Sequence, residues 1–458
     1  MRARLAMYGA PILAILAAAF VLLGPGRPGP ALGIRVWGAP SLGARCTAFR
    51  LEGIRRYFSV DDRVALSGLA FLLRDSASGD VALWTGASGQ DGIADVPLCL
   101  NKPLSARAEI EITRNKKSIA RGEIAPSKAA ASVLEIPVLA GITRGELQLQ
   151  VKSPRGVWVA PFEDKLSIAL SQGSKSHAEI WLSAHAEGAE LQQQRLLLPA
   201  DRPVLLKLKP SSHMVELTLK AHVDGVEQGV WEGIVPVVPG GIWLDPNGVS
   251  NPEGAKQIRL LSPSPRKNAY VSLLTEQGRV FGATVPLAPS GDGFFVGLWD
   301  VDLSAHAYKT AVLVVAGDPF EQGSGTLAWP ILPAEGRALH PPMELLLDGL
   351  PQAESAEKER AFSARKTAVF LILALAIFEF LFFFARSRQA RRALEAHFAK
   401  VSQSDDAGQP EHDAPQEMKA ENKKEAGMVQ GESWLWALVL LSLLGLGFAL
   451  VAALALFR

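Results

Sequence analysis

Three strongly apolar stretches frame this chain, one at its start and two at its end, and everything between them has to be read against that frame. Each is measured against the roughly 20 apolar residues needed to cross a hydrocarbon core of about 30 Å. Tyr8 to Leu23 is short, follows Arg2 and Arg4, and meets Gly24-Pro25-Gly26. It reads as the apolar region of a signal peptide or as an uncleaved anchor. Thr367 to Ala385 is followed at once by Arg386, Arg388, Arg391 and Arg392, a cluster that the positive-inside rule assigns to the cytoplasm. Trp434 to Phe457 opens on two interfacial tryptophans, Trp434 and Trp436, and carries no charge before Arg458. The expectation is three transmembrane helices, at 1–25, 367–385 and 434–457, in a multi-pass protein of the inner membrane. Residues from about 26 to 365 then lie outside the cytoplasm.

That external region is longer than one ordinary domain, and its grammar is that of short alternating strands cut by Gly, Pro, Asp and Asn. Arg63 to Leu73, Val81 to Trp84, Ile93 to Leu98 and the alternation of Ala108, Ile110 and Ile112 read as strands, with a turn at Asn115-Lys116-Lys117. Val133 to Val138 reads as the closing strand of this first unit. Leu147 to Val151, Val157 to Val159, Leu166 to Leu170, Ala178 to Leu182, Val204 to Leu208 and Val215 to His222 continue the pattern, with Asp224-Gly225 as a hairpin signal. A third unit uses Gln257 to Leu261, Ala269 to Thr275, Arg279 to Val285, Phe294 to Leu298 and Ala311 to Val315. The expected fold is mainly β, with three tandem immunoglobulin-like β-sandwiches at 30–140, 141–239 and 240–340. A charged linker helix follows at 341–366, and a polar cytoplasmic loop at 386–432 is too poor in apolar residues to build a core.

Asp61-Asp62-Arg63-Val64-Ala65-Leu66-Ser67-Gly68, then Arg74-Asp75 before Gly79, then Gly89-Gln90-Asp91-Gly92-Ile93-Ala94 form a strand-turn-strand series with glycine at the tight turns. The segment from Tyr57 to Leu98 thereby resembles the bacterial immunoglobulin-like and carboxypeptidase-regulatory-like modules of envelope proteins. The resemblance implies binding, spacing or support, and it carries no catalytic residue over. Macroglobulin-type domains share this grammar, but their Cys followed by Glu-Gln has no counterpart, because Glu276-Gln277 and Glu321-Gln322 have no cysteine nearby. A covalent thioester trap is excluded.

The chemistry-bearing residues are few. A formal net charge of +1 supplies no clustered basic field for phosphate, so nucleic acid is not an expected partner. The two cysteines, Cys46 and Cys99, both fall in the external region, where an oxidising compartment permits a bridge; two buried free thiols are the alternative. His177 and His185 flank Trp181 without metal-ligand spacing, Asp300 and Asp302 share a strand face, and Asp245-Pro246-Asn247-Gly248 has the composition of a turn. No nucleophile elbow, phosphate loop or Cys/His array is present, so no catalytic, cofactor or metal site is expected.

Glu379 interrupts the second apolar stretch, and Gly445, Ala449 and Ala453 form a small-residue stripe in the third, as Ala10, Ala14 and Ala18 do in the first. Inside a bilayer such residues mark helix-helix contacts, and the alternative for Glu379 is a reach to the cytoplasmic interface toward Arg386. The expected function is a membrane-anchored binding or scaffold component of a cell-envelope assembly, in contact with the lipid bilayer and with membrane or envelope proteins. A membrane-tethered hydrolase of envelope polymers and a sensor of an external ligand are the alternatives.

Overall fold

The computed structural model describes residues 26–405 apart from 129, 172–178, 246–254 and 303–307, together with isolated positions nearer the two ends. The chain divides into two compact units, one spanning Leu32–Ala353 and the other combining Met1–Ala31 with Glu354–Arg458. The first is tandem β-structure built from paired sheets.

In the first sandwich, Glu344–Asp348, Ala31–Gly38, Cys46–Tyr57 and Val60–Arg63 lie side by side, and Ile93–Cys99 also pairs with Cys46–Tyr57. Against them packs the sheet of Val81–Gly86, Leu69–Asp75, Ala108–Arg114 and Lys117–Ile124. The alternation of apolar residues decides which face is buried: Phe49, Leu51, Phe71, Leu73, Val96, Ile110 and Ile112 point inward and form one core. Asn115 and Lys116 both have positive φ, at 50° and 66°, which gives the two-residue turn the mirror-image twist that suits an antiparallel hairpin. The expected single strand from Arg63 to Leu73 is two strands in different sheets. The break falls at Val64–Gly68, where Gly68 has φ 66° and the Leu66 amide donates to Ser88 Oγ at 2.8 Å.

The second sandwich faces Gly141–Gly145, Val226–Pro239, Met214–Val223, Ile180–Glu187 and Arg195–Leu198 against Leu149–Lys152, Asp164–Leu170, Val204–Pro210 and Ala189–Leu191. The third faces Trp243–Leu244, Ala255–Ser262, Phe295–Asp302 and Ala288–Pro289 against Gly278–Pro286, Asn268–Thr275, Ala311–Ala316 and Leu327–Leu332. Each has its own buried apolar cluster.

Two connections depart from a simple string of modules. Ser132–Leu134 pairs with Arg337–Leu339, and this ribbon covers the outer face of the third sandwich through Ala131, Val133 and Ala338. Val133 to Val138 is therefore not the closing strand of the first unit. The strand that borders Ala31–Gly38 comes instead from Glu344–Asp348, after the third sandwich.

Asp75 ties the first sandwich together locally. Its carboxylate accepts the Ser78 amide and hydroxyl and the Ser105 amide, each at 2.7 Å. Burial alone would raise its pKa, but the hydrogen bonds from Ser105 and Ser78 win and hold it well below the ordinary carboxylate value. A carboxylate depressed in the folded state stabilises above its unfolded pKa of about 3.9 and loses that contribution as the pH falls below it. Asp75→Asn is expected to weaken the fold at neutral pH and to flatten its loss of stability below about pH 4. Urea titrations across an acid pH series check this.

The expected three membrane spans are not supported, and the multi-pass inner-membrane placement with 26–365 outside falls with them. Among the described residues, no helix is long and apolar enough to cross a membrane. Tyr8 to Leu23 and Trp434 to Phe457 lie almost wholly outside the described residues. Thr367 to Ala385 is not a helix in its own right but the interior of one continuous 56-residue helix, Leu350–Asp405. Hydropathy had bounded the element at the ends of its apolar run. Helix propagation does not stop there, because the flanking Ala, Glu, Lys and Arg residues are strong helix formers. The expected linker helix at 341–366 begins only at Leu350, after the strand Glu344–Asp348, and the helix runs on through residues 386–405 of the expected polar loop. Several of its apolar side chains, including Phe362, Phe370, Phe378 and Phe398, are exposed in the isolated chain.

Candidate functional site

Strand Cys46–Tyr57 buries every residue from Thr47 to Ile54, and two of these, Arg50 and Glu52, are charged. Arg50 sits opposite Asp95 of Ile93–Cys99 in the strand register. Its side chain is fully buried, with Nε 3.0 Å from Asp95 Oδ1. The third sandwich supplies the remaining partners. Arg50 Nη1 donates to Pro319 O at 2.7 Å and lies 3.3 Å from Glu321 Oε1, and Nη2 donates to Val271 O at 2.9 Å. Arg279, 1% exposed, reaches Asp95 Oδ1 with Nη2 at 2.6 Å and donates from Nε to Ser272 Oγ at 2.9 Å. Ser272 in turn contacts Glu321.

Two guanidiniums and two carboxylates thus meet in a buried, charge-balanced joint between the first and third sandwiches. Burial pulls Arg50 down, but Asp95 and then Glu321 outweigh it and raise its pKa. At Arg279 burial and the like charge of Arg50 prevail and lower it. Guanidiniums keep their charge even so, and taking away the carboxylate paired with a buried one is strongly destabilising. The joint needs close approach: a Cβ on Gly282 would stand 2.0 Å from Arg279 Nη2 and 2.2 Å from Asp95 Oδ1, so only glycine fits there. Around it, Tyr270 Oη donates to Asp91 at 2.9 Å, Trp37 stacks on Phe320 at 4.4 Å, and Arg63 lies over the same Phe320 ring at 5.0 Å.

A second buried arginine joins the second and third sandwiches. Arg155 lies in the turn expected at Pro154-Arg155-Gly156. Its guanidinium packs over Trp243 and Trp329 at 4.5 and 4.2 Å and donates to Leu244 O at 2.8 Å. Burial pushes its pKa down to about 10; the faces of two indoles favour the cation. Phe162 extends the aromatic stack, 5.9 Å from Trp243 and 5.0 Å from Phe294.

The residues singled out in the sequence lie elsewhere. Cys46 and Cys99 stand opposite each other in the strand register and form a disulfide, with Cα atoms 4.1 Å apart. Glu379 lies in the long helix, with its side chain outside the described residues. Gly445 is helical and exposed, whereas Ala449, Ala453, Ala10, Ala14 and Ala18 lie outside the described residues, so the small-residue stripes cannot be placed. His185 is on Ile180–Glu187, and His177 lies outside the described residues. Asp300 accepts from Gln257 Nε2 at 3.1 Å, and the side chain of Asp302 is not among those described. Asp245 lies 3.3 Å from Arg259 Nη1, and 246–248 fall outside the described residues. Among the described residues no three His, Cys, Asp or Glu side chains are grouped to hold a metal. One member of the joint leaves a signal in the sequence: Arg50 interrupts the apolar run of the strand Cys46–Tyr57.

No family model matches the chain, and no curated protein does. Among solved structures it is similar to the D0–D1 domain of intimin, at 12% identity over 45% of this chain and 100% of that one, with a TM-score of 0.15. It is similar to FdeC, an Escherichia coli adhesin, at 12% identity over 70% of this chain and 99% of that one, with a TM-score of 0.17. The S-layer protein rSbsC matches at 9% identity over 59% of this chain and 33% of that one, also at 0.17. Scores this low carry no argument, and the functional reading rests on the chain's own residues.

Proposed function

We propose that this chain is a non-catalytic binding or scaffold protein of a cell-envelope assembly, whose three β-sandwiches act as one preorganised body. The observation that carries the reading is the joint of Arg50, Asp95, Arg279 and Glu321, in which buried charge is spent on fixing one sandwich against another. A body whose modules are already fixed presents its surface to a partner without a further ordering cost, which is how preorganisation raises affinity. Asp95 and Glu321 are enclosed and held by guanidiniums, an arrangement suited to a joint and closed to a polymer substrate. The Cys46–Cys99 bridge fits a chain that works in an oxidising compartment.

The test is mild crosslinking of the full chain in its native cells, affinity purification and mass spectrometry. The expected outcome is a reproducible set of envelope proteins that is depleted for the Asp95→Ala chain. Recovery of the chain alone, or a partner set indifferent to Asp95→Ala, contradicts the reading.

A further inference from the structure

The hairpin joining Cys46–Tyr57 to Val60–Arg63 extends beyond the core of the first sandwich. Burial ends at Ile54, and from Arg55 the side chains meet solvent. At its tip Phe58 is 86% exposed, Val60 60% and Tyr57 55%, with the Tyr57 and Phe58 rings in edge contact at 4.5 Å. Phe58 also has φ 57°, at the first position of a two-residue turn where glycine is the ordinary residue. A bulky side chain there strains the backbone and gains no burial in return. Strain held at an exposed site is a pointer to function when the fold has no use for it.

The surroundings say what kind of surface fits. Arg35 and Arg56 pair with Asp61, and Arg55 lies 3.8 Å from Asp62. Arg35 also lies 3.3 Å from Asp348. With Arg63 2.9 Å from Glu52, four arginines stand against Asp61, Asp62, Asp348 and Glu52 and leave a collar with no net field, so neither an anionic lipid surface nor a charged polymer is drawn to the tip. What remains is a compact aromatic and aliphatic knob, the kind of anchor that dominates protein-protein interfaces once it fills a pocket. We infer that Tyr57, Phe58 and Val60 insert into an apolar pocket of a protein partner. This inference rests on the binding reading above and names its contact surface.

The experiment places a photoreactive phenylalanine analogue at Val60 in the full chain, in its native cells, with Leu83 on the same sandwich as an equally exposed control position. The expected result is an adduct from position 60 to one identified protein, absent from position 83. Phe58→Gly should lower its yield about tenfold or more. Because glycine accepts this φ without strain, Phe58→Gly should leave the melting temperature unchanged or higher, whereas a structural role for the ring would lower it. Adducts to lipid alone, or an adduct untouched by Phe58→Gly, overturn the inference. Protein adducts from position 83 but not 60 overturn it while leaving the binding reading intact. No protein adduct at either position, together with a chain that purifies alone, overturns both.

Discussion

Asp95→Ala is expected to destabilise the three-sandwich body by about 3–5 kcal/mol, the loss typical of breaking a buried ion pair by removing one partner. Asp95 is the costliest member of the joint to lose because it serves both guanidiniums, Arg50 through Nε at 3.0 Å and Arg279 through Nη2 at 2.6 Å. Without it Glu321 alone faces two buried cations. A tandem protein need not unfold in one step, and the expected signature is an earlier first transition in calorimetry or urea, with the first sandwich parting from the third. Asp300→Ala, at an exposed carboxylate bonded only to Gln257 among the contacts described, is the control and should stay within about 0.5 kcal/mol of the parent. Asp95→Asn keeps the volume and should fall between the two.

Removing the disulfide is expected to cost about 4 kcal/mol. The bond joins residues 53 apart, and the chain-entropy account of that loop gives this figure. Its effect should be local. Cys46 and Cys99 lie on neighbouring strands of the first sandwich, so the Cys46→Ala, Cys99→Ala chain should lose stability in the transition that reports on that sandwich. The cores built on Leu166 and Ile168 in the second sandwich, and on Leu273 and Leu313 in the third, should melt as before. Thiol reduction of the parent should reproduce the double variant, and unfolding followed at Trp84 against Trp231 separates the modules.

What was legible in the sequence was local. Alternation over Ala108 to Ile112 and Val215 to His222 marks strands because the pleat sends successive side chains to opposite faces. Asp224-Gly225 marks its hairpin because both residues tolerate positive φ, here 51° and 81°. The cysteine pairing was one of two open readings, and the structure decided it. Pairings that depend on distant chain were not legible. Nothing in Glu344–Asp348 says that it borders Ala31–Gly38, and nothing in Val133 says that its ribbon packs on the third sandwich. The joint is not legible for the same reason: Arg50 stands out in an apolar strand, but only the meeting of two modules brings Arg279 and Glu321 to it.

The apolar stretch at Thr367 to Ala385 failed differently. Hydropathy measures transfer of side chains and says nothing of where a helix stops, and the helix continues from Leu350 to Asp405. Its charged flanks belong to the same element as its apolar middle. Glu379 lies within this helix with its side chain outside the described residues, and its expected contact stays an expectation.

The central claim is that the sandwiches form one fixed body, and pulsed electron spin resonance between labels at Leu83 and Leu298 tests it most directly. Both positions are exposed, one on the first sandwich and one on the third, so labels there leave the joint untouched. The account predicts a single narrow distance distribution in the parent chain that broadens in Asp95→Ala. A broad or multimodal distribution in the parent would contradict it, because the two sandwiches would then move independently despite the buried charges between them.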